Sequence, residues 1–163
     1  MGVSKGSDPA ANSGETTYKT ELNVAINANP PSMDPTASIE YGRSIGMHIY
    51  EPLFSLNANY EPVPVLAEGY TVSDDGLVYT ITLRQGVKFH NGEEMTSEDV
   101  KYSLERCIAN PGVNYNYLII ESITCDDDYT VTIKTSAPFN ALLYRLSLDA
   151  ASIICKSADT SAE

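Results

Sequence analysis

Residues 66–105 read LAEGYTVSDDGLVYTITLRQGVKFHNGEEMTSEDVKYSLE, and physically they form a strand, a turn, a second strand, a loop and a capped helix. Thr71, Ser73 and Asp74 lead into Asp75-Gly76. Asp-Gly between two extended runs predicts a tight hairpin turn, because glycine accepts positive φ without a Cβ clash. From Val78 to Leu83 the side chains alternate. Val78, Thr80 and Thr82 share one face and Tyr79, Ile81 and Leu83 the other, as in a half-buried strand. Gly86 stops that strand and Asn91-Gly92 makes another turn. Thr96 then opens a helix: its hydroxyl suits the first-turn amides, and Asp99, with Glu98 beside it, suits the positive helix end. Aspartate is a weaker reciprocal partner than glutamate in a capping box. Val100, Ser103, Leu104 and Cys107 fall on one helical face, and Asn110-Pro111-Gly112 ends the helix.

Outward from this stretch the same reasoning covers the chain. Glu21 to Asn27 alternates as a first strand. Ala28 to Pro35 is a rigid loop, since its prolines fix φ and forbid helix. Ser44 to Tyr50 is helical, with Ile45, Met47 and Ile49 as its apolar positions and Pro52 beyond its end. Leu53 to Leu56 is a short strand. Tyr60 to Pro64, with two prolines, is an edge or an extended linker. Ile119 to Thr124 and Tyr129 to Lys134 pair as a second hairpin around Asp126-Asp127-Asp128. Pro138 opens a further helix carrying Phe139, Leu142, Leu143 and Leu146. Ile153-Ile154 closes the series as a short strand. The order predicts an α+β fold with a mostly antiparallel sheet and packed helices.

The chain has 163 residues, enough for one sizeable core. A net charge of −12 argues against nucleic acid and anionic membrane surfaces as partners. Eleven tyrosines and no tryptophan suit a binding cleft and ordinary strands equally. The three cysteines, Cys107, Cys125 and Cys155, match no zinc or Cys-x-x-Cys pattern and read as buried small hydrophobes. His48 and His90 have no metal-ligand partner at useful spacing, His90 reading as a turn residue. Asp126-Asp127-Asp128 lacks the glycine and terminal glutamate of a calcium loop and reads as a solvated turn. No catalytic constellation, phosphate loop, metal set or cofactor motif can be drawn. Residues 1–20 are small and polar and read as a flexible tether.

Several blocks, in order, resemble one family. Pro31-Ser32-Met33-Asp34-Pro35 resembles a proline-x-leucine-aspartate-proline loop, with Met33 for leucine. Ile49-Tyr50-Glu51-Pro52-Leu53 resembles isoleucine-tyrosine-glutamate-glycine-leucine, with Pro52 for glycine. Pro64-Val65-Leu66-Ala67-Glu68, the block Leu83 to Gly92, Asp128-Tyr129-Thr130-Val131 and Ala137-Pro138-Phe139 continue in register. These blocks are similar to those of the extracytoplasmic solute-binding proteins of peptide- and nickel-type ABC transporters.

The resemblance implies the N-terminal part of a periplasmic-binding-protein-like type II fold. Residues 21–40 supply the first strand and loop of the main ligand-binding lobe, and residues 41–163 an accessory α+β domain of that lobe. The opposing lobe lies outside this sequence. It implies capture of an oligopeptide or dipeptide for import, with a membrane permease and an ATPase as partners. The chain would act outside the cytoplasm as a periplasmic or cell-surface lipoprotein, held to the membrane only through an N-terminal lipid anchor, with Met1 standing where the lipidated cysteine would be. By the same resemblance the ligand-contacting residues are Ser38, Ile39, Glu40 and Tyr41, pairing by backbone with an extended peptide. An aromatic from the loop after the signature helix (Tyr115 or Tyr117) and Asp149 join them. For Tyr115 and Tyr41 ordinary packing is the competing reading, and for Asp149 a turn role. A surface peptide receptor or sensor on the same scaffold, or a binder of nickel or another small solute, are the alternatives.

Overall fold

The computed structural model describes Ala25, residues 32–37 and residues 45–159. The expected tether, the strand over Glu21 to Asn27 (Ala25 apart) and the site residues Ser38, Ile39, Glu40 and Tyr41 lie outside the described residues.

Alternation builds the sheet. β3 (Ala67–Val72), β4 (Val78–Leu83), β5 (Ile120–Asp127) and β6 (Thr130–Thr135) form one antiparallel sheet in the order β3-β4-β6-β5. Tyr79, Ile81 and Leu83 of β4 are buried, as their period-2 spacing requires, and so are Val131 and Ile133 of β6. The opposite face is polar, with Thr71, Thr80, Thr132 and Thr124 in register across all four strands. The hydroxyls of Thr80 and Thr132 approach to 3.3 Å. β5 breaks the alternation, for Ile120 and Ile123 are both buried although three residues apart. The register shifts between Ile120 and Ser122, leaving Glu121 as the extra residue of a bulge that returns Ile123 to the core face.

α1 (Ser97–Ala109) packs across the apolar face through Val100, Ser103, Leu104 and Cys107, all buried. Thr96 and Asp99 form a capping box, so aspartate fills the reciprocal position. The Asp99 carboxylate accepts the Thr96 amide (2.9 Å) and hydroxyl (3.1 Å) with one oxygen and the Lys156 amide (2.9 Å) with the other. The short strands β1 (Phe54–Leu56) and β2 (Pro62–Pro64) pair with each other, and β2 is the expected edge. Phe54 meets Tyr70 edge-to-face at 5.8 Å.

Several expectations need correction. The β3–β4 connection is wider than a two-residue Asp-Gly turn. Ser73 still pairs with Val78, Gly76 donates to the Ser73 carbonyl, and Gly76 takes φ of 70°. Asp126 and Asp127 belong to β5, so the second hairpin turns at Asp128-Tyr129. The helix after Pro138 is the single turn α2 (Leu142–Arg145). The Phe139 carbonyl accepts both the Tyr79 hydroxyl and the Leu142 amide, and the chain is extended again at Leu148. Ile153-Ile154 is not a strand. Ser152 makes one bridge to Pro52, which has no N–H to continue a ladder, and the Ile154 amide bonds Ser103 Oγ instead. Met47 and Ile49 are exposed rather than core-facing. Of the cysteines only Cys107 is buried. Cys125 and Cys155 are half-buried, and all three are free thiols. Cys155 misses the core because its thiol sits among Asn91, Glu93 and Ser157.

Candidate functional site

Among the described residues, two cavities share Pro35 in their linings. The larger, about 680 Å³, is lined by residues that include Asp34, His48, His90, Arg106, Cys155 and Asp159. Its polar groups are largely engaged with one another. Arg106 bridges Asp34 (2.5 Å) and Asp159 (3.1 Å), and the Tyr102 hydroxyl donates to Asp159 (2.9 Å). Burial alone would raise the Asp34 carboxyl. The Thr36 amide and hydroxyl and the Arg106 guanidinium outweigh it and hold the group below its ordinary 3.8. Glu93 takes hydrogen bonds from Ser157 (2.5 Å) and Cys155 (3.3 Å). Among the described residues no group of three or more His, Cys, Asp and Glu side chains is placed to hold a metal ion.

The smaller cavity, about 260 Å³, joins segments remote in sequence. Its walls are Pro35, the turn after α1 (Val113, Tyr115, Asn116), the end of α2 (Tyr144, Arg145) and Leu148, Asp149 and Ala150. The structure thus brings Tyr115 and Asp149 to one cleft. Asn110-Pro111-Gly112 ends α1 and throws the chain into a 3-10 turn over Asn114–Asn116, which leaves Tyr115 71 % exposed. A second 3-10 turn, Asp149–Ala151, follows extended Leu148 and sets Asp149 at the rim. Tyr117, the alternative aromatic, is not available. It is fully buried, its hydroxyl donates to the Arg145 carbonyl (3.3 Å), and burial pushes its phenol well up.

Arg145, Asn116 and Tyr144 were not anticipated from the sequence. Asn116 is buried and accepts Arg145 Nη1 at 2.5 Å. The one signal for Arg145 is a charge inside the leucine-rich run from Leu142 to Leu148, four residues before Asp149. The lining of this cavity thus combines a cation, a carboxylate and two phenols.

Residues 61–163 match the family described as bacterial extracellular solute-binding proteins, family 5. The chain belongs to this family. The glutathione-binding protein GsiB of Salmonella typhimurium (strain LT2) is 40 % identical over 140 residues, covering 83 % of this chain and 27 % of the relative. The chain therefore spans about a quarter of the length of that curated relative. Among solved structures, AgaA of A. tumefacien R10 in complex with agropinic acid superposes with a TM-score of 0.72 at 32 % identity, covering 79 % of this chain and 27 % of that one. Listeria monocytogenes OppA bound to peptide superposes with a TM-score of 0.72 at 28 % identity, covering 80 % and 30 %. The described elements superpose on part of the type II periplasmic-binding-protein fold of these relatives. The family is described as extracellular solute-binding proteins, and one solved relative, DppA from Helicobacter pylori, as an ABC transporter-associated periplasmic binding protein. Among the described residues no helix is long and apolar enough to cross a membrane.

Proposed function

We propose that this sequence forms part of the solute-capturing subunit of an ABC importer for extracellular peptides, and that the cleft of Tyr115 and Asp149 is one wall of its ligand site. The observation that carries the reading is the convergence of these two residues, 34 positions apart, on one cavity in a family 5 chain. In this reading residues 41–163 are an accessory α+β unit of one lobe, Ser38, Ile39, Glu40 and Tyr41 continue the site, and a second lobe closes over it. A lipid anchor near the N-terminus would tether the protein outside the cell. A second reading, a solute that is not an ordinary peptide, is favoured by the names of two relatives, which specify glutathione and agropinic acid.

The test is calorimetry on the full-length product of the gene encoding this sequence. It would be titrated with a di- to pentapeptide mixture, then with glutathione, for the wild type and Tyr115→Ala. Peptide binding that weakens several-fold in the variant supports the reading. Glutathione binding alone favours the second reading. Peptide binding untouched by Tyr115→Ala removes the proposed cleft from the site.

A further inference from the structure

We infer that Asn91 is a site of spontaneous deamidation, gated by the turn that holds it, and that the conversion alters the wall of the larger cavity. Asn91 is the one asparagine of the chain that a glycine follows. A glycine nitrogen is the least hindered nucleophile the backbone offers, because no Cβ obstructs its approach to the preceding carboxamide. Gly92 takes φ of 89° with open space on the side where a Cβ would stand. Both residues are exposed, so water reaches the pair. In the reaction the Gly92 nitrogen bonds to Asn91 Cγ. The side-chain nitrogen departs as ammonia, taking up the proton that the Gly92 amide gives away. Water then opens the succinimide at either carbonyl, leaving aspartate or isoaspartate.

In the closed turn both reacting groups are engaged. The Gly92 amide donates to the Phe89 carbonyl (2.9 Å). Asn91 Oδ1 accepts the Glu93 amide (3.0 Å), and its Nδ2 donates to Cys155 Sγ (3.4 Å). The nitrogen reaches Cγ only after these contacts part. The loop is closed by the Phe89 amide on the Glu93 carbonyl (2.9 Å) and by the isolated bridge of Lys88 to Glu94, outside the four-stranded sheet. Exposed backbone bonds of this kind open locally while the sheet stays folded. Phe89, His90, Asn91 and Cys155 line the larger cavity together. Either product puts a carboxylate where Cys155 Sγ faced an N–H donor, beside the Glu93 carboxylate already there. Isoaspartate also lengthens the backbone by one carbon, so the turn from Phe89 to Gly92 does not re-form in the same register.

The experiment incubates the full-length gene product at pH 8 in heavy-oxygen water, natively and in urea, and follows each asparagine by peptide mass spectrometry. The native protein should convert Asn91 roughly tenfold faster than Asn59 or Asn140, which are exposed but have no glycine after them. Urea should accelerate Asn91 further. Native conversion of Asn91 no faster than of Asn59 and Asn140 overturns the site, and equal native and urea rates overturn the gating by the turn. Asn91→Asp, checked for an unchanged circular dichroism melt, should slow a thiol reagent at Cys155 several-fold, since negative charge beside the sulfur opposes the thiolate. An unchanged Cys155 rate overturns the effect on the cavity wall.

Discussion

A thiol can be silenced by its surroundings. Cys107 lies on the buried face of α1 with its Sγ–H donated to the Ala150 carbonyl at 2.8 Å. Burial pushes it from an ordinary 9.0 up to about 12, against the pull of the Arg106 guanidinium. Between those two values the unfolded chain releases the proton and the folded chain keeps it. The stability contributed by this thiol is therefore intact below pH 9 and falls as pH rises toward 12. At pH 8 a thiol reagent should modify Cys155 first, Cys125 more slowly, and Cys107 only after denaturant is added. Three equal native rates would contradict this placement. The sequence reading grouped the three cysteines because each has apolar or small neighbours in the chain. It could not register that Cys155 folds beside Asn91 and Glu93, more than sixty positions away.

At the scale of elements, the start of α1 joins local and distant structure through one side chain. Asp99 caps the helix it belongs to and also anchors the Lys156 amide, so Asp99→Ala strips acceptors from two backbone donors. We expect a loss of about 2 kcal/mol in urea unfolding, with faster hydrogen exchange at Lys156 than elsewhere in the chain. A loss confined to α1 exchange, with Lys156 unchanged, would sever the two roles. Thr96 and Asp99 were legible because caps are local chemistry, and β4 was legible because period 2 needs only six residues. The bulge at Glu121 was not, since an extra residue is defined only against its partner strand. The single turn of α2 was equally hidden, because the Tyr79 hydroxyl that takes the Phe139 carbonyl comes from a strand sixty positions earlier. The candidate cleft divides the same way. Tyr115 and Asp149 came from family resemblance, whereas the state of Arg145 depends on Asn116 and on burial, neither of which a linear pattern encodes.

For the whole molecule, charge and apolar surface oppose each other. Tyr115, Leu118 and Tyr144 are 71 %, 64 % and 42 % exposed, the two tyrosines lining one cleft and Leu118 following within a turn. The net charge of −12 keeps copies apart at low salt. Salt shortens the reach of that repulsion to roughly 8 Å at physiological ionic strength. Sedimentation of this chain should show self-association that grows with concentration and with salt, and Leu118→Asp should reduce it. A monomer at every concentration in 0.5 M salt (a Debye length of about 4 Å) would refute the patch as adhesive. The Arg106 tie has a different, topological consequence. Because Asp34 and Asp159 grip one guanidinium, the polypeptide departs at residue 159 from beside the place where it arrived at residue 34. The two ends of the described stretch are thereby held side by side, the arrangement that lets a unit accept insertion or exchange without moving its points of entry and exit apart.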